Sequence, residues 1–188
     1  RPRDPSLDDV LTKARQLKGS YKDVDGRPFS PDTKGYQGDD AEVMAEVKAL
    51  YEAVQSSGIH YSNPAGSADW NIGQLIRTND EILKAKAATC LDSTVLFASL
   101  LENIGIQPIL AVIPGHAFVG FWTRSGQQFS FSGPVAPAEE AIALMSRDVP
   151  LLHFVETTVM CESPNQMPFE TAVAMAAERL MGSLTRAE

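Results

Sequence analysis

The chain has 188 residues, 44% of them hydrophobic and 21% charged, with a formal net charge of −8. That composition supports a packed core in one domain, or in one domain with an appended arm, and it excludes global disorder. The acidic balance argues against a nucleic-acid or anionic-membrane surface, because phosphate recognition needs a basic patch. No apolar run is long enough to span a bilayer, and no secretory leader is visible. The opening Arg1-Pro2-Arg3, with no initiating Met, is what an excised piece of a longer protein would show. Cys90 and Cys161 are too few for a disulfide framework and lack companions for a structural zinc site.

In chain order, Leu7, Val10, Leu11, Ala14 and Leu17 have the spacing of one apolar helix face. Residues 19–38 are rich in Gly and Pro and read as loop, so residues 1–38 are set apart as an N-terminal helix and arm. Asp39-Asp40 opens a helix with Val43, Val47, Leu50 and Val54 on one face. Ile59-His60-Tyr61 is a short extended piece. Residues 68–78, containing Trp70 and Gln74, read as irregular, and a short helix through Ile82 and Leu83 follows.

Thr89 and Asp92 have capping-box spacing, which puts Cys90 in the first turn of a helix. That helix is apolar nearly all round and is expected in the middle of the fold. Ile109–Ile113 is a continuous apolar run expected as an inner strand, and Pro114-Gly115 turns the chain. His116–Trp122 is expected to return as its antiparallel partner, with Gln128–Phe131 as a further strand. A short helix over Glu139–Met145, a strand over Val149–Val159 and a closing helix over Phe169–Leu180 complete an α+β order.

The chemistry gathers on this middle stretch. A helix N-terminus favours the thiolate of Cys90, and Lys84 and Lys86 are candidate sources of further positive charge. The alternative for Cys90 is a small buried apolar residue. His116, flanked by Gly115 and Ala117, has the open surroundings a general base needs, whereas His60 and His153 read as structural. A third group should orient the imidazole, from among Asp92, Asp148, Glu156 and Asn103. Glu156 is preferred, because a carboxylate inside the run F-V-E-T-T-V-M costs stability unless it has a partner. Gln74 is a candidate oxyanion donor beside the Cys90 N–H, and Trp70 is grouped with it as a substrate contact.

The strings T-C-L-D-S-T-V-L-F-A-S-L-L-E-N-I-G-I-Q-P, G-H-A-F-V-G and F-V-E-T-T resemble the transglutaminase-like superfamily, which is built on the papain-like cysteine-protease fold. The match extends over residues 59–160, and within it the stretch from Asn63 through G-Q-L-I-R to G-H-A-F-V-G is similar to a transglutaminase-like module of large multidomain bacterial proteins. The resemblance implies a nucleophile helix packed on a small antiparallel sheet, and a hydrolase domain over residues 39–188. It implies Cys90 as nucleophile, His116 as base and Glu156 as orienting acid, where the superfamily usually carries Asp.

The function expected is thiol-dependent hydrolysis of peptide or isopeptide bonds in a protein or peptide substrate, with no metal or organic cofactor. Two alternatives stay open. The same residues would serve a protein-glutamine transglutaminase or deamidase, and the domain would also serve as an inactive binding or regulatory module. The sequence names no compartment.

Overall fold

The computed structural model describes residues 4–62, 75–125, 135–146, 150–161 and 166–184. Trp70, Gln74, Asp148 and the strand expected over 128–131 lie outside them. The architecture is α+β. In chain order, the elements are helices Asp8–Ser20 (α1) and Asp40–Gln55 (α2), strand His60–Tyr61 (β1) and helix Asn79–Ala85 (α3). Strand Ala87–Ala88 (β2), helix Cys90–Asn103 (α4), and strands Pro108–Ile113 (β3) and His116–Trp122 (β4) follow. Helix Ala138–Met145 (α5), strand Leu152–Val155 (β5) and helix Phe169–Leu184 (α6) complete the set.

Three helix starts are written locally. Asp39 accepts the Glu42 N–H at α2, and Thr78 and Thr89 each form a complete capping box, with Glu81 and Asp92 respectively. The antiparallel sheet has the order β3-β4-β5, so β4 is its inner strand and, among the described residues, β3 is an edge. This corrects the expectation drawn from the apolar run at 109–113: Leu110 and Val112 are exposed. The inner strand is instead the one that begins at His116, and every residue from Ala117 to Trp122 is buried.

Two cores explain why β4 is apolar on both sides. Val119 and Phe121 enter a cluster with Leu50 and Val54 of α2 and Leu96, Phe97 and Leu100 of α4. Phe118 and Trp122 point the other way, against Leu144 of α5 and Ala176 and Leu180 of α6. A sheet covered on both faces has no polar face to alternate with.

Leu7, Val10, Leu11 and Ala14 belong to the same buried cluster as α2 and α4. The loop after α1 is tied down by charge. Lys18, 2% exposed, pairs with Glu46 and Glu42 at 2.7 Å each. Glu46 also accepts the backbone N–H groups of Lys34 at 2.7 Å and Gly35 at 3.0 Å. Gly35 has φ +51°, and a Cβ there would stand 2.5 Å from the Ile104 carbonyl oxygen.

The strand expected over 149–159 ends early. β5 stops at Val155, and a 3-10 turn over Thr157–Met160 replaces its second half. The reason is local: the Glu156 side chain accepts the Thr158 N–H and caps that turn. Upstream, Gly120 faces Phe154 across the β4–β5 ladder, and a Cβ on Gly120 would meet the Phe154 ring at 2.5 Å. Gly120→Ala should therefore destabilise the fold by about 1–3 kcal/mol through overpacking. A urea titration should show a lower midpoint with an unchanged slope.

Candidate active site

Four segments meet at one end of the sheet. The turn Pro114-Gly115, with Gly115 at φ +75°, closes the β3–β4 hairpin so that His116 pairs with Ile113 as the first residue of β4. Cys90 is the first residue of α4, as its capping box requires. Glu156 is the residue after β5, and its N–H is held by the Ala172 carbonyl of α6 at 3.0 Å. Both cysteines are free thiols: Cys90 is half-buried and Cys161 buried.

The three side chains stand in series. The Cys90 thiol lies beside the His116 ring, close enough that each shifts the other's pKa. The His116 Nε2 lies 2.7 Å from Glu156 Oε2. Phe118 lies against the imidazole, with ring centres 6.0 Å apart, and Phe118 is itself packed edge-on against Phe154.

Glu156 is fully buried, so its charge depends on partners. Oε1 accepts the Thr158 N–H at 3.1 Å and the Thr158 hydroxyl at 2.8 Å. Oε2 accepts from His116 and pairs with Arg179, whose Nε lies 2.8 Å away. Burial alone would raise its pKa, but the bonds from His116 and Thr158 outweigh it and hold the carboxyl below its ordinary range.

The neighbouring His116 lowers the Cys90 pKa most, against the opposing effect of burial, and the N–H groups of Ala117 and Leu91 lower it further. His116 is raised to about 9, first by Cys90 and then by Glu156. Both shifts run toward thiolate and imidazolium. Lys84 does not supply the charge expected of it: its ammonium pairs with Asp80 of α3 at 2.8 Å.

The other candidates for the third position fall elsewhere. Asp92 accepts the Thr89 N–H and pairs with Arg77 at 3.0 Å, so it caps α4 and does not orient His116. Asn103 is the last residue of α4, at the far end of the helix from Cys90. His153 stacks on Phe121 and bonds the Pro150 carbonyl, while His60 lies on β1.

Sequence reasoning missed three features. Arg179, on the surface of α6, reads in the sequence as an ordinary solvated cation. Thr157 Oγ1 lies 3.1 Å from both Ser93 and Thr94, whose hydroxyls each donate to the Cys90 carbonyl. This buried hydroxyl cluster couples the turn that carries Glu156 to the turn that carries Cys90. Tyr61, paired with Ala88 in the parallel β1–β2 ladder, lies near enough that charge on Cys90 adds to burial in raising its pKa. No motif announces these contacts, because each joins distant parts of the chain.

Among the described residues, no group of three or more His, Cys, Asp or Glu side chains is arranged to hold a metal ion, and no helix is long and apolar enough to cross a membrane. No protein-family model, curated protein or solved structure matches the chain.

The two thiols should react very differently. Cys161 is 3% exposed, and burial raises its pKa to about 11. At pH 6.5, where an ordinary thiol near ~8.5 is ~1% ionised, iodoacetamide should modify Cys90 at least ~10-fold faster than Cys161, as read by peptide mapping. The Cys90 rate should reach a plateau below the free-thiol range. His116→Ala should abolish that plateau and leave a rate that climbs only through about pH 8.5.

Proposed function

We propose that this chain is a thiol hydrolase of peptide or isopeptide bonds, built like the papain-like, transglutaminase-like folds its sequence resembles. The observation that carries this reading is a series of three groups: the buried Glu156 meets His116 Nε2 at 2.7 Å, and the Cys90 thiol lies beside the same ring. A half-buried thiol needs no imidazole and a folded core needs no buried carboxylate. The two together, in series, are what a nucleophile, a base and an orienting acid require.

In this reading the Cys90 thiolate attacks the substrate carbonyl carbon, forming a C–S bond and placing negative charge on the oxygen. The Cys90 N–H is among those that helix geometry leaves without an intrahelical acceptor, so it is free to receive that oxyanion. The His116 imidazolium gives its proton to the departing amine as the C–N bond breaks. The neutral imidazole then takes a proton from water, whose hydroxide attacks the thioester and releases the acid and the thiolate. Glu156 holds the ring through Nε2 during both proton transfers. The acidic chain, at −8, favours encounter with basic substrates.

The test is a scan of protein and peptide substrates with intact-mass detection. Cleavage should depend on Cys90, with Cys90→Ala at background and His116→Ala reduced about 10²–10⁴-fold. The wild-type rate should fall on the acid side as Cys90 is protonated, and on the alkaline side near pH 9 as His116 loses its proton. A gain of about one mass unit at Gln would mean deamidation, and a crosslink would mean acyl transfer to an amine. Full cleavage by Cys90→Ala would remove the thiol from the mechanism.

A further inference from the structure

Glu156 Oε2 has two cationic partners. His116 Nε2 approaches at 2.7 Å and Arg179 Nε at 2.8 Å. The carboxylate is fully buried, but the Arg179 side chain is 43% exposed and lies on the outer face of α6. An arginine with that much access to water has no packing reason to turn inward. Among the described residues, Glu156 is its one ion-pair partner.

Charge balance gives the reason. When the thiol is ionised and the imidazole protonated, Cys90, His116 and Glu156 together carry one net negative charge in a half-buried pocket. A buried net charge is costly, and the cheapest relief is to protonate the thiolate or the carboxylate. Arg179 brings the set to two anions and two cations. It also draws on the same carboxylate oxygen as His116, so the imidazolium is held less firmly than Glu156 alone would hold it.

We propose that Arg179 is a positioning residue that sets the pH window of the Cys90–His116 pair by sharing the Glu156 carboxylate with His116. It touches neither the thiol nor a substrate carbonyl, and it acts through Glu156. The proposal rests on the reading of Cys90 and His116 as a thiolate–imidazolium pair. Among the described residues, the other titratable groups around the site are Tyr61 from β1, Cys161 after the 3-10 turn, and Tyr51 from α2, which senses Glu156. Burial holds all three neutral across the range in question, since each has its pKa raised. Arg179 is therefore the one fixed positive charge on this carboxylate among the described residues.

The experiment is the pH dependence of Cys90 alkylation by iodoacetamide in the wild type, Arg179→Gln and Arg179→Lys, with thermal melts to establish that each is folded. Removing the charge should move both limbs of the profile to higher pH, by on the order of one unit. The thiolate then loses a compensating cation, and the imidazolium gains the whole carboxylate. Arg179→Lys should restore most of the displacement, which a purely structural contact would not do. Arg179→Gln leaves a buried carboxylate short of a partner, so the same comparison is made between Glu156→Gln and Glu156→Gln/Arg179→Gln. No buried carboxylate is left unpaired there, and loss of the Arg should again move the profile upward. A wild-type plateau with superimposed variant profiles overturns the role of Arg179 and leaves the thiolate pair standing. A lysine variant that behaves like glutamine also overturns it. A wild type without a plateau overturns both.

Discussion

The structure turns on one buried carboxylate. Glu156 has no access to solvent; its two oxygens accept three hydrogen bonds, from His116 and from the N–H and hydroxyl of Thr158, and pair with the Arg179 guanidinium. An unpaired carboxylate in that place would cost several kcal/mol, more than most single interactions contribute. The surroundings are arranged to prevent this. Glu156 ends β5 by capping the following 3-10 turn, and its own N–H is anchored to α6. The same residue that stops a strand thereby fixes the orientation of the imidazole.

The sheet supplies the rigidity behind this. Because β4 is covered on one face by α2 and α4 and on the other by α5 and α6, its first residue cannot shift without disturbing two cores. His116 is that residue. Helix α4 is fixed independently, by its capping box and by the Asp92–Arg77 pair, so the thiol and the ring approach each other from two anchored elements. The hydroxyl cluster of Ser93, Thr94 and Thr157 then ties the helix to the turn after β5. Such preorganisation is what the proposed chemistry would need, since a small displacement of either group would separate the thiol from the ring.

Much of this was legible because it is local. Capping spacing placed Cys90 at a helix start, and the Pro-Gly turn placed His116 at a strand start. The preference for Glu156 came from an argument about cost: a carboxylate in an apolar run must have a partner. Where local reading failed, a tertiary contact had overridden it. The apolar run at 109–113 looked like the inner strand, yet β4 holds that place and β3 is an edge among the described residues. Alternation could not separate the two strands, because periodicity shows how many faces are apolar but not which neighbour covers them. Lys84 looked like a charge for the thiol, but its partner is four residues back on its own helix.

The sequence by itself determined the α+β order, the caps, the turn before His116 and the types of residue present for thiol chemistry. These follow from interactions within a few residues, which the chain carries wherever it goes. Only the tertiary structure decided that Glu156 meets His116, 40 positions earlier in the chain, and that Arg179 meets Glu156 from the last helix. It alone also placed Tyr61 beside the start of α4, through a parallel ladder to residues 87 and 88. Such contacts depend on which elements pack together. The loop-closure cost of bringing them together is met by the two cores and not by any local pattern.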